Sequence, residues 1–175
     1  MKRKGRIEQE LEETLVAYRQ LLVEIPDEAL KFPSNNPAWT IGEVLYHMSL
    51  APRMLTTDLR MIIDDRWYYR LIPAVLPKGL FDWLNKVYTR YGARNASHKI
   101  LHREYSKAHL TVMNALESVS EEELDKSVRY PDWDPLLAGE VTVERLFHYV
   151  KIHFDVHAEQ IRAVMADGRP PTTDR

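Results

Sequence analysis

Along most of this chain apolar positions recur three and four residues apart, the spacing of one face of an α-helix. Four long runs keep that spacing. In the first, residues 4–24, Ile7, Leu11, Leu15, Tyr18, Leu22 and Val23 repeat at helical intervals. Glu8, Glu10, Glu12 and Glu13 crowd its early turns, where the helix dipole favours negative charge, and Ile25-Pro26 ends it. The second run, Ile41 to Ile63, carries Ile41, Val44, Leu45, Met48, Leu55, Leu59 and Ile62 on one side. Thr40 and Glu43 have the spacing of a capping box at its start. Pro52 lies inside it, and the missing backbone donor predicts a kink just after His47. We read that kink as a bend over the core in preference to a functional hinge. The third run, residues 97–119, aligns Leu101, Tyr105, Ala108, Val112, Ala115 and Val119. In the fourth, behind a cap at Thr142, Val143, Leu146, Phe147, Val150, Phe154, Ile161, Val164 and Met165 share a side.

The connections are uneven. Prolines and asparagines between Phe32 and Trp39 exclude regular structure, and Ser120 with Glu123 signals one helical turn at most. Residues 64–97 form a long crossover in which Trp67, Tyr68 and Tyr69 precede Pro73 and Pro77. A short helix is expected there from Leu80 to about Tyr91, with Trp83, Leu84, Val87, Tyr88 and Tyr91 on one side. So many aromatic residues suggest a packed crossover, covering one end of the molecule or walling a pocket. Trp133, in the loop from Tyr130 to Gly139, is either a lid over a site or a plug under the loop. No strand pattern rises above the helical ones. The expectation is an all-α four-helix bundle with a long aromatic-rich crossover carrying a short extra helix. Its domain covers residues 1–166, and residues 167–175 form a flexible tail.

Composition narrows the function classes. A chain of 175 residues with 45% apolar and 29% charged residues matches one globular domain. A net charge of −2 gives no basic footprint for nucleic acid. With no cysteine there can be no disulfide, no protein thiolate ligand and no cysteine nucleophile. Met1 to Arg6 runs into a charged helical pattern without an apolar stretch, and no segment has the apolar length of a membrane span. The expectation is a cytoplasmic protein without a membrane or nucleic-acid partner.

Candidate chemistry rests on histidines. His153 and His157 are four residues apart and fall within the apolar sector of the fourth helix. Burying an imidazole nitrogen unpaired costs roughly 1–3 kcal/mol, so two such rings need partners. A shared metal ion is one solution; a backbone carbonyl for each ring is the other. His47 lies at the margin of the second helix's sector, and in a bundle facing helices could bring it to the pair. Three imidazoles would leave further coordination positions open, as catalytic metal centres do. Glu43, one turn before His47, could orient that ring or carry a proton. Gln160, three residues after His157, could hold a ring nitrogen or a bound water. Both are equally explained as capping and surface residues. His98, His102 and His109 share a face of the third helix, but Lys99, Arg103 and Lys107 beside them would repel a cation. We read those three as boundary or surface residues.

Two blocks carry a family resemblance. Pro37-Ala38-Trp39-Thr40-Ile41-Gly42-Glu43-Val44-Leu45-Tyr46-His47 resembles the W-[ST]-x-x-E-[VL]-L-x-H segment of the DinB/YfiT-like superfamily. Gly139 to Leu146, followed by His153-x-x-x-His157-x-x-Gln160-Ile161, resembles its C-terminal H-x-x-x-H-x-x-Q-I segment. The resemblance implies an up-down-down-up four-helix bundle, usually a homodimer. It implies a divalent metal, often nickel or zinc, on three histidines that match His47, His153 and His157. Relatives include enzymes that transfer a low-molecular-weight thiol such as bacillithiol or mycothiol to an electrophile. A metal-dependent thiol transferase for small electrophiles, tied to stress or detoxification, is therefore expected here. The thiol would come from the cofactor, which agrees with a chain lacking cysteine. Two alternatives stand beside it: metal-assisted hydrolysis with water as nucleophile, and a non-catalytic bundle kept for interaction.

Overall fold

Capping and proline chemistry set the helix limits in the computed structural model, which describes residues 2–64, 77–134 and 136–166. Helix α1 spans Arg3–Glu24 and stops where Ile25 turns extended before Pro26. After a 3₁₀ turn at Asp27–Lys31, α2 spans Ile41–Met48. Its capping box is complete: Glu43 N donates to Thr40 Oγ1 at 3.2 Å, and Thr40 N donates to Glu43 Oε2 at 2.8 Å. Helix α3 follows at once, Leu50–Ile63. The long second helix expected from the sequence is thus two helices joined at Ser49. Pro52 explains the break. It has no N–H for the Met48 carbonyl, and its ring would collide with that carbonyl in a continuous helix. Helices α4 (Lys78–Ala93), α5 (His98–Ser118) and α6 (Val143–Ala166) complete the α-helices among the described residues. Ser97 and Thr142 cap the last two through Ile100 N and Arg145 N.

The chain also forms a hairpin that the sequence reading did not expect. Strands β1 (Ser127–Tyr130) and β2 (Gly139–Thr142) pair antiparallel, with Val128 opposite Val141 and Tyr130 opposite Gly139. Four-residue strands are too short to display an alternation, and the pairing is non-local. Gly139 has φ 83°, a left-handed conformation that a side chain would strain. The hairpin carries Tyr130 and the loop with Trp133 and Asp134 toward the helices.

The core falls into two clusters, and their membership gives the direction of each helix. One cluster holds Leu15 to Ile25 of the α1 end, Ile41 to Met48 of α2, Leu101 and Tyr105 of α5, and Phe154, Ala158 and Ile161 of α6. The other holds Ile7 and Leu11, then Leu55, Leu59 and Ile62 of α3, Val112 and Leu116 of α5, and Val143 to Val150 of α6. So α1 and α6 run one way, and α2–α3 and α5 run the other. This is an up-down-down-up helical bundle, with the long crossover joining the two parallel members. The break at Ser49 and the step from Val150 to Phe154 both lie where the clusters meet.

One helix face departs from expectation. Trp83 (58% exposed), Val87, Tyr88 and Tyr91 (68% exposed) of α4 face outward, and so do Leu80 and Leu84. The inward face is instead Phe81, Asn85, Thr89, Gly92 and Ala93, nearly opposite on the helical wheel. Close approach to α2 requires small residues there: a Cβ on Gly92 would fall 2.0 Å from Tyr46 Cζ. Val23, placed in the apolar face of α1 from its spacing, is 88% exposed. Trp67, Tyr68, Tyr69 and Pro73, and the expected tail 167–175, lie outside the described residues.

Candidate metal centre

Helix α2 presents His47 because Ile41, Val44, Leu45 and Met48 lock the opposite side of that short helix into the core. Helix α6 presents His153 between Val150 and Phe154, and His157 one turn on, beside Ala158. The three imidazoles meet: one nitrogen from each lies within 4.8 Å of the other two. His47 Nε2 and His153 Nε2 are 3.0 Å apart. The ring of His157 stands edge-on to both others, with centroids at 4.9 and 4.5 Å. Trp39 covers His47 at a ring separation of 4.5 Å, and Tyr149 lies 5.4 Å from His153.

Hydrogen bonding assigns the tautomer of one ring, that of His157. His157 Nδ1 faces Gln160 Oε1 at 2.9 Å, and His47 Nδ1 faces Thr89 Oγ1 at a longer 3.5 Å. An amide oxygen only accepts, so His157 Nδ1 carries the proton and Nε2 keeps its lone pair. His153, 5% exposed, has no partner at Nδ1. Whichever tautomer it adopts, Nδ1 is unmet: it lacks a donor, or Nδ1–H lacks an acceptor; and where both rings carry their protons on Nδ1, the Nε2 lone pairs of His47 and His153 face each other. A cation between the Nε2 atoms turns that last case from repulsion into ligation. The donor set, three imidazole nitrogens, suits zinc, nickel or iron, so the residues present fit a divalent ion.

Electrostatics agree. Burial lowers the pKa of His47 to about 3, helped by His157 and opposed by a hydrogen bond with Asn85. Burial holds His153 well below the usual histidine value, with His47 and His157 adding to it. His157 is lowered as well, by burial, against the opposing hydrogen bond with Gln160. All three are neutral at pH 7, the form that binds metal.

The centre opens into a cavity of about 690 Å³. Trp39, Leu50, Leu55, Phe81, Trp133 and Leu146 wall it, and Asp58, Tyr130, Asp134 and Tyr149 line it as well. Phe81 of α4 packs on Trp133 with centroids 5.2 Å apart, so the crossover helix and the hairpin loop help enclose the site. Glu43 stands elsewhere: its carboxylate serves the cap of α2 and lies 3.9 Å from Arg90. Gln160 lines the cavity. His98 binds Ile25 O and Asp27, His102 is exposed, and His109 is buried against Glu12; none joins the centre. The burial of His109 departs from its expected boundary or surface place. The sequence reading missed Thr89, Asn85 and Asp58. For Asn85 and Thr89 the signal is their i, i+4 spacing on α4, overshadowed by the aromatic stripe; Asp58 stands on α3.

Neither a curated protein nor a solved structure matches the chain. A family model described as the DinB superfamily matches residues 10–161, from the second turn of α1 to the last turns of α6 and across all three histidines. The chain therefore belongs to the DinB superfamily.

Proposed function

We propose that this DinB-like protein is a metal-dependent transferase that activates a low-molecular-weight thiol for attack on small electrophiles. His47, His153 and His157 hold the ion, with nickel or zinc as the best candidates for a set of three imidazoles. The observation that carries the reading is three neutral imidazoles, two buried and one half-buried, converging in one cavity with no carboxylate among them. A bound divalent ion lowers the pKa of a thiol so that its sulfur is nucleophilic at neutral pH. The chain's own residues do the rest. Gln160 fixes the ring of His157 by accepting its Nδ1 proton, and Thr89 steadies the ring of His47 through a longer contact at Nδ1. Trp39, Phe81 and Trp133 exclude water from the cavity and give the electrophile an apolar wall. The absence of cysteine is consistent with a nucleophile brought in from outside. Residues 1–166 act as one domain in this reading, and two copies associate as a homodimer.

Metal analysis of protein purified without added ions tests the first half, on wild type and on His47→Ala and His153→Ala. One ion per chain is expected for wild type and none for the variants; occupancy that survives both substitutions overturns the ligand set. Thiol titration of the cobalt-loaded protein, followed by its sulfur-to-metal absorption, tests the second half. Turnover of a substrate panel without added thiol would move the reading to hydrolysis.

A further inference from the structure

Asp58 is a carboxyl that the proposed chemistry leaves unused. It projects from α3 into the same cavity as the imidazoles and is partly buried there. Tyr130 of β1 donates to its Oδ2 at 2.6 Å. Three elements face it: Tyr130 from the hairpin, Asp134 from the hairpin loop and Tyr149 from α6. Burial and Asp134 push Asp58 up to about 6, against the hydrogen bond from Tyr130. A neighbouring cation would have held it down instead. Among the described residues lining the cavity the one lysine, Lys78, is paired with Asp82, and no arginine lines it. Asp134, anchored through Oδ1 by Leu136 N and Leu137 N, adds a second carboxylate to the same end of the cavity.

Another group lining the cavity is unmet. The indole N–H of Trp39, a side chain 9% exposed, finds no acceptor. The Tyr149 ring bridges the two ends, lying 5.4 Å from the ring of His153 while Asp58 and Asp134 both act on its hydroxyl. One ligand spanning the cavity can therefore reach the imidazoles with one end and bring a cation to Asp58 with the other.

We infer that the end of the cavity formed by Asp58, Tyr130 and Tyr149 selects a substrate whose part remote from the imidazoles carries a protonated amine. Asp58 is the specificity-determining residue, receiving N–H donors on the oxygen that Tyr130 leaves free. The inference rests on the proposed metal centre only in taking the substrate's other end to reach the imidazoles.

Two probe series test it on the zinc-loaded full chain. ω-Aminoalkanethiols of increasing length are compared with ω-hydroxyalkanethiols, and ω-amino hydroxamates with their ω-hydroxy counterparts, by calorimetric titration. At one chain length the amine should bind about tenfold or more tighter than the hydroxyl compound, the scale of a charge-assisted hydrogen bond. Asp58→Asn should remove that advantage and leave the hydroxyl probes and the zinc content unchanged. Tyr130→Phe, which keeps the carboxylate, should retain the advantage and serves as a second variant should Asp58→Asn fold poorly. An amine preference confined to the hydroxamates would uphold the inference while the thiol reading falls. Equal binding of amine and hydroxyl probes at every length, or loss of the preference in Tyr130→Phe, overturns it, as does failure of both amine series to bind.

Discussion

Two groups of histidines occupy this bundle, and their partners set them apart. His98, His109 and His148 each face a carboxylate: Asp27 at 2.7 Å, Glu12 at 3.1 Å and Glu10 at 2.8 Å. The last two join α5 and α6 to α1. His47, His153 and His157 face no carboxylate; they face each other, an amide and a hydroxyl. A carboxylate partner ends the demand of an imidazole and makes it a clamp between helices. An imidazole turned toward other imidazoles, and buried, leaves lone pairs that only a cation or a donor can satisfy. The same residue type is structural in one half of the set and ligand-like in the other.

The sharpest way to break this contrast is to remove one member of each group. His153→Ala should abolish stoichiometric metal and lower affinity by more than about 100-fold, beyond the 10–100-fold that outer partners usually contribute. Metal titration monitored by calorimetry checks this. Acid sharpens the comparison from the other side. His47 titrates at about 3 in the fold, and His153 and His157 are also lowered, against an ordinary value of about 6.5 in the unfolded chain. Between those values the unfolded chain binds protons that the folded one does not. Stability of the metal-free protein is therefore full above about 6.5 and declines as pH falls toward the folded values. Metal affinity of the folded state, in contrast, should begin to fall only below the ordinary histidine value of about 6.5, because burial lowers all three rings and delays the competing protons. A steep loss of affinity starting near 6.5 would show that the rings are not shielded as described.

Much of this was legible in the residues, for physical reasons that differ from place to place. The four long runs are visible because each run, the second as α2 and α3 together, buries one face over five or more turns, so periodicity accumulates. His153 and His157 stood out because polar rings broke an otherwise apolar sector. His47 was visible through the W-T-x-x-E-x-L-x-H block, in which the capping box fixes the start of α2. On helix α4 hydrophobicity does not mark the inward face. There the cavity and the contact with Tyr46 demand Asn85, Thr89 and Gly92, and the aromatic residues are left outside. The break at Ser49 was foreseen as a kink but not as two helices, since a proline's neighbours decide how far the chain parts. The hairpin escaped notice because its four-residue strands pair across a loop of eight residues, 131–138, whose closure no local pattern announces.

Gln160 and Thr89 grade the second group internally. Gln160→Leu removes the acceptor of His157 Nδ1 at 2.9 Å and should weaken metal binding by about 10–100-fold. Thr89→Val removes a contact of 3.5 Å, at the limit of hydrogen bonding, and should cost less. Competition against a metal-sensing dye gives both constants. Equal losses would mean that Thr89 closes on His47 once the ion is bound.

The smallest effect belongs to the clamps. His109 is buried, but its partner Glu12 stands half in solvent. When His109 is changed to Gln, Glu12 turns to water and leaves no orphaned charge, while the amide fills most of the space of the ring. The cost should then be that of an exposed pair plus a modest loss of packing, about 1 kcal/mol, or a fall in Tm of about 2–4 °C. Metal content should not move. If His109→Gln instead displaced the ion, the clamp and ligand groups would be one coupled network, with the geometry of His153 on α6 depending on how α5 is held against α1. Thermal denaturation with and without added zinc separates the cases: independence predicts the same zinc-induced rise in Tm for wild type and variant.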